Sequence, residues 1–266
     1  MNSCAGFGCA LAIGLAMAPT VASAGAWTLE AGQWQAIVTA APSSADKAFD
    51  GAGNLQSIPR YSKTDLSALL EYGVTDRFTA IFSPSLQHVG IAAPIDAQRN
   101  GLGYTDFGGR FSVLRGESWV FSLQSTLRVP GTFDKSNAAA IGYTDPEFDI
   151  RALFGYGFKL GTWPAFVDAQ VAQRFRFDGP PDEFRADFTL GVQPHARWLL
   201  LAQSFNVVSE GAGTWGLPSY NYHKFQLSAV YALTPALSFQ LGAYTTYAGR
   251  NALEENGLVA SVWYKF

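Results

Sequence analysis

Apolar and polar residues alternate with period two along nearly the whole chain after residue 24. Trp119, Phe121, Leu123, Leu127 and Val129 interleave with Ser122, Gln124, Thr126 and Arg128. Phe148, Ile150, Ala152, Phe154, Tyr156 and Phe158 interleave with Glu147, Asp149 and Arg151; Val167, Ala169, Val171 and Phe175 with Asp168, Gln170, Arg174 and Arg176. The pattern returns with Phe184, Ala186, Phe188 and Leu190 against Glu183, Arg185 and Asp187, and with Phe225, Leu227, Ala229 and Tyr231 against Lys224, Gln226 and Ser228. Such alternation is a strand signal. The longest uncharged stretch, Phe225 to Gly249, also alternates and is broken at Thr234-Pro235. It is therefore not the continuous apolar run of about 20 residues that a membrane helix needs. Aromatics sit at the ends of the apolar faces, as at Trp119, Phe148 and Tyr231, where strands crossing a bilayer place their interfacial girdles.

The connections predict the architecture. Short turns at Val74-Arg77, Arg115-Ser118, Leu160-Pro164, Pro194-Arg197 and Leu233-Ala236 alternate with longer polar or Gly/Pro-rich loops near 44–60, 90–101, 130–144, 178–182, 209–220 and 249–255. Together they join twelve strands into an all-β, closed antiparallel transmembrane β-barrel over residues 25–266. Closure leaves no backbone group unpaired in lipid, and an even strand number puts both termini with the short turns on the periplasmic side. Strand nine, Trp198 to Val208, is the least regular, because Trp198 to Leu201 is apolar on both faces. The last strand shares Leu258, Ala260, Val262, Tyr264 and Phe266 on one face and stops on an aromatic. Tyr264 and Phe266 so resemble the assembly signal that outer-membrane barrels present to the barrel-assembly machinery.

Composition sharpens this. Apolar residues make up 48% and charged residues 15%, well under the roughly 25% charged of a soluble domain. A net charge of −3 supplies no basic stripe for nucleic acid. Cys4 and Cys9 both fall in the first ten residues. An apolar core from Cys9 to Ala18, followed by small residues at Ala22 and Ala24, reads as a signal peptide over 1–24. No basic residue precedes that core, and Gly6 stands where a lipidation signal on Cys9 would want Leu. The chain from Gly25 onward has no cysteine, hence neither disulfide nor thiol chemistry.

The polar strand faces assign an interior. Facing inward would be Asp65, Glu71, Asp106, Arg110, Arg128, Glu147, Asp149, Arg151, Asp168, Arg174, Arg176, Arg185, Asp187 and Lys224. Acids and bases balance, which predicts weak charge selectivity unless the signs segregate. Arg128, Arg151, Arg174, Arg176 and Arg185 lie on neighbouring strands and would form a basic ladder attracting carboxylates or phenolates. The competing expectation is that Glu147, Asp149, Asp168 and Asp187 lie on the same wall and neutralise them. Trp263, Tyr104, Tyr222 and Tyr244 point inward as either a plug or an aromatic lining, and loop 130–144 is a candidate constriction. Twelve strands lie between barrels filled by side chains and those with an aqueous channel.

Other chemistry is thin. His88 and His223 fall near the outer rim and His195 in a short turn, and Ser85 and Ser219 are near the first two. No nucleophile-elbow or metalloprotease signature accompanies them. Asp46, Asp50, Asp134 and Asp145 in the loops read as solvated charges, with binding of divalent cations or lipopolysaccharide as the alternative. Catalytic residues, metal ligands and cofactors are therefore expected to be none.

Two segments carry a family likeness. Glu71-Tyr72-Gly73-Val74-Thr75-Asp76-Arg77-Phe78 forms one turn, and Gly101-Leu102-Gly103-Tyr104-Thr105-Asp106-Phe107-Gly108-Gly109-Arg110-Phe111 opens a strand. Together they resemble the outer-membrane transporter family of the MetA pathway of phenol degradation. The resemblance implies a bacterial outer-membrane channel passing small solutes, aromatic or carboxylate compounds among them, with outer-membrane lipids and lipopolysaccharide as surroundings. An outer-membrane lipid hydrolase and a closed structural barrel are the alternatives.

Overall fold

The computed structural model describes residues 25–131, 134–140, 144–214 and 216–266. The expected signal peptide and both cysteines lie outside the described residues. Twelve antiparallel strands follow one another: β1 (Trp34–Phe49), β2 (Leu55–Thr75), β3 (Phe78–Ser83 and Ser85–Ile91), β4 (Ala97–Leu102 and Tyr104–Arg115), β5 (Trp119–Pro130), β6 (Glu147–Leu160), β7 (Trp163–Arg176), β8 (Glu183–His195), β9 (Trp198–Ser209), β10 (Asn221–Ala232), β11 (Leu237–Arg250) and β12 (Asn256–Lys265). Each pairs with its neighbours in sequence. β1 pairs with β2 and also with β12, Ile37 opposite Trp263 and Val38 opposite Val262. The sheet is therefore a closed barrel with no free edge.

β3 and β4 are interrupted opposite each other, at Pro84 and Gly103. Pro84 has no N–H to donate; its carbonyl accepts from Ala68, while Gly103 donates to Ser85. The pairing shifts by one residue there, from Ser83–Asp106 to Leu86–Leu102, and the hairpin continues outward as a bulged extension.

The five short turns fall where the alternation places them. Two long loops do not: the connections expected at 44–60 and 90–101 shrink to 50–54 and 92–96, because pairing continues through Lys47–Ser57 and Val89–Arg99. Above the bilayer, water covers both strand faces, so small and polar residues carry the ladder without alternating.

Polarity is inverted relative to a soluble protein. Leu241, Leu258, Leu227 and Phe188 are exposed on the outer face, whereas Ser122, Thr79 and Gln35 are buried within. Lipid solvates the first set, while inside the barrel Ser122 donates to the Ala26 carbonyl, Thr79 accepts from Leu29 N–H and Gln35 donates to Glu71. At the short-turn end, Trp34 lies 4.3 Å from Tyr72, Trp198 4.8 Å from Tyr231 and Trp119 6.3 Å from Phe154, ring centre to ring centre, forming one interfacial girdle. β9 is apolar on both faces for a structural reason. Trp198 and Leu200 meet lipid, while Leu199 and Leu201 pack inward with Phe166, Val230, Trp27 and Trp263.

Candidate functional site in the barrel lumen

The chain preceding β1 crosses the lumen at the short-turn end. Buried Ala26 donates its N–H to Asp168 Oδ2 on β7 at 2.7 Å and accepts at its carbonyl from Ser122 Oγ on β5 at 2.6 Å. The Trp27 carbonyl accepts from Arg110 Nη1 on β4 at 2.9 Å, and Leu29 N–H donates to Thr79 Oγ1 on β3 at 2.9 Å. Gly32 N–H reaches the Gly73 carbonyl on β2. Trp27 packs beside Ala26, Val120 and Leu153 on one side and stands edge-on to Phe166 on the other, centroids 6.0 Å apart. Two wall glycines make that room. A Cβ on Gly155 would stand 2.5 Å from the Trp27 ring, and one on Gly191 2.1 Å from Phe166.

Beyond this segment the lumen holds an ion-pair network. Arg128 bonds Asp106 at 3.0 Å and Glu147 at 2.6 Å. Arg176 bonds Glu147 at 2.8 Å, Arg174 meets Asp149 at 3.2 Å, Arg185 meets Glu183 at 2.8 Å, and Arg151 reaches Asp187 at 2.7 Å. Antiparallel register explains the pairing: Arg128 faces Glu147, and Arg174 and Arg176 face Asp149 and Glu147 across the ladder. All five ladder arginines thus meet carboxylates. Arg185 Nε and Asp187 Oδ1 are buried with no hydrogen-bond partner among the described residues.

Toward the outer mouth the balance tips. A cavity of about 660 Å³ is lined by six cations, Lys63, Arg128, Arg174, Arg176, Arg185 and Lys224, against three acids, Glu147, Glu183 and Glu255. Tyrosines 61, 104, 220 and 222 share the wall. Lys224 Nζ bonds Glu255 and sits 5.4 Å from the Tyr222 ring centre and 5.2 Å from that of Tyr244. The Arg128 guanidinium lies 4.6 Å over Tyr104. Cations over ring faces are attracted by the ring quadrupole.

All fourteen charged residues assigned inward from sequence lie on inward-facing register positions. Nine of them divide between two levels: Glu71, Arg110 and Asp168 by the crossing segment, Arg128, Glu147, Arg174, Arg176, Arg185 and Lys224 around the outer cavity. Asp106, Asp149, Arg151 and Asp187 belong to the ion-pair network, and Asp65 accepts from Gln87. Glu183, Lys63, Glu255 and Arg99 are lumenal charges outside that assignment. Glu183 alternates with Phe184 and carries the same signal as its neighbours, whereas Arg99 and Glu255 lie in stretches whose composition predicts loops. Loop 130–144 supplies no lining to the cavity among its described residues. Pro180, Pro181, Leu217 and Pro218 from two other loops cover it instead. The Ala138–Ala140 helical turn packs on the outer extension of β3 and β4, and Lys135 ties the loop to Asp145 and Asp178. Trp263 donates to Gln240 at 3.1 Å on the wall of a second, inner cavity. His88 bonds Asn100 and His223 bonds Asn206, both on outward register positions. Neither bonds a serine among the described residues.

A closed twelve-stranded barrel, apolar outside and charged within, is an outer-membrane β-barrel protein. Residues 45–262 match the model of the family described as "Putative MetA-pathway of phenol degradation", and the chain belongs to that family. Its fold is similar to the COG4313 outer membrane channel from Pseudomonas putida F1, at 17% identity and TM-score 0.74 over 92% of this chain and 100% of that one. It is also similar to the NanC porin, at 9% identity and TM-score 0.53 over 86% of this chain and 100% of that one. No curated protein matches it in sequence. At these identities the likeness establishes the fold: an outer-membrane barrel of the kind that channels and porins use.

Proposed function

We propose that the protein is an outer-membrane channel for passive diffusion of small solutes, with carboxylate-bearing aromatic compounds as its preferred class. The observation that carries this reading is the outer cavity, where six cations face three acids beside a tyrosine wall. An excess of fixed positive charge raises the local concentration of anions, and tyrosine faces stack an aromatic ring. The family to which the chain belongs and the channels it resembles support the same role.

The test is reversal potential across a planar bilayer under a salt gradient, paired with liposome swelling in benzoate and in a neutral sugar of similar size. Anion preference and faster swelling in benzoate are expected. A cation preference overturns the solute class. Failure of the folded barrel to conduct or swell overturns the channel and favours a closed structural barrel, a reading that the segment crossing the lumen supports.

A further inference from the structure

We propose that cleavage after Ala24 creates a ligand for the barrel's own interior: the α-ammonium of Gly25, bound by the carboxylate of Asp168. The inference is independent of which solute the channel carries.

Asp168 sits on β7, 2% exposed. It accepts the Ala26 N–H at 2.7 Å and Gln170 Nε2 at 2.5 Å. Among the described residues no side-chain cation lies within ion-pair distance of it. The two nearby guanidinium groups are committed elsewhere, Arg110 to Glu71 at 2.7 Å and Arg151 to Asp149 and Asp187. Asp168 therefore differs from Glu71, Glu147, Asp149, Glu183, Asp187 and Glu255, each of which meets a cation. A buried carboxylate without a counter-charge is costly.

The chain supplies that charge where cleavage would release it. A Cβ at Gly25 would lie 2.6 Å from both Asp168 carboxylate oxygens and 2.3 Å from Gln170 Nε2, and the residue takes φ +53°. Only glycine fits so close a backbone approach at that dihedral. Ala22 and Ala24 place an A-x-A cleavage site directly before it. Processing thus replaces a neutral amide at residue 25 with a positive amine beside a buried negative charge. Ala26, held at both its N–H and its carbonyl, keeps the terminus in position. The new pair would latch the crossing segment to β7 only in the processed protein.

The experiment compares refolded 25–266 with the same chain carrying one extra N-terminal residue, and with D168N. All three are prepared with ¹³C at the glycine α-carbons, the extra residue being glycine, and the α-carbon shift of the terminal glycine, which follows the charge of its own unmodified amine, is titrated by NMR in detergent after refolding. Heat-modifiable migration confirms that every variant is folded. The terminal amine of 25–266 is expected to titrate at least about one unit above the ordinary α-amino value of about 7.7–8.0, and that elevation should disappear both in D168N and in the extended chain. A terminus that titrates at the ordinary value in 25–266, or an elevation that survives D168N, overturns the proposal. N-terminal sequencing of the protein from outer membranes must return Gly25 first; any other terminus also overturns it.

Discussion

Arg110 joins the barrel wall to the segment that crosses the lumen. Its Nη2 bonds Glu71 Oε1 on β2 at 2.7 Å, its Nη1 the Trp27 carbonyl at 2.9 Å and its Nε Gln124 Oε1 on β5 at 3.1 Å. Glu71 in turn accepts from Gln35 on β1. Four strands and the crossing segment therefore depend on one guanidinium, and both partners of the pair are buried.

Breaking a buried pair leaves an uncompensated charge, at a cost of about 3–5 kcal/mol, whereas replacing both partners by apolar groups is often neutral. R110M should therefore lower unfolding stability by about 3 kcal/mol, and R110M combined with E71L should recover most of the loss. Urea titration of the barrel in detergent, read by heat-modifiable migration, checks the sign of that coupling.

The crossing segment narrows the lumen through Trp27, so conductance should follow the size of that side chain. W27A removes the ring that fills the space between Leu153 and Phe166 and should raise single-channel conductance severalfold. G155V should act in the same direction, because its Cβ would collide with the Trp27 ring. The barrel itself should stay folded in W27A, since β1–β12 closure does not pass through residue 27. Conductance unchanged in both variants would show that solutes pass elsewhere.

Much of this was legible in the sequence. Period two gave the strands, and strict alternation of short and long connections gave their number. The inward face follows from parity alone, which puts Arg128 and Glu147 on one wall, where the register pairs them. Residues 25–33 carried no such signal. Their role rests on backbone groups of Ala26, Trp27 and Leu29 meeting side chains from β3, β4, β5 and β7, and contacts so distant in sequence leave no periodicity. The doubly apolar start of β9 was the one trace, explained by the lumenal packing of Leu199 and Leu201 around Phe166 and Trp27.

Selectivity should depend on the two lysines at the outer mouth more than on the arginines. Each ladder arginine already faces a carboxylate, whereas Lys63 and Lys224 share Glu255. K63Q with K224Q leaves Glu255 unopposed and should move the reversal potential toward cations. R151Q with R174Q removes two cations from a network in which five arginines meet five carboxylates, and should shift it the same way but by less. An R151Q/R174Q shift that exceeds the lysine shift would mean that the network, not the mouth, sets selectivity.

The loop between β5 and β6 should respond to acid. Asp134 accepts from the Ser136 hydroxyl at 2.7 Å and from its N–H at 3.0 Å, and these bonds hold its carboxyl below the ordinary carboxylate range. A lowered folded-state value means that the order it supplies is complete above the ordinary aspartate pKa and is lost as pH falls through the lowered one. Hydrogen exchange at Ser136, corrected for intrinsic rate, should be level from neutral pH to about pH 5 and rise below about pH 4. D134N should abolish the step.

Phe266 serves closure as well as any assembly signal, and the two roles separate experimentally. Its carbonyl accepts from Trp34 N–H at 2.8 Å, its N–H donates back at 3.1 Å, and its ring stacks on Trp34 at 6.0 Å with 2° between planes. F266A keeps both backbone bonds and loses only the ring, which is 61% exposed. Its refolded barrel should therefore unfold at nearly the same urea concentration as the parent. If the assembly machinery reads the same ring, F266A should in addition accumulate unassembled in cells. Y264A, with the outer ring beside it gone, should repeat that defect. Normal assembly of F266A in cells, with destabilisation in vitro, would assign the terminal aromatic to closure alone.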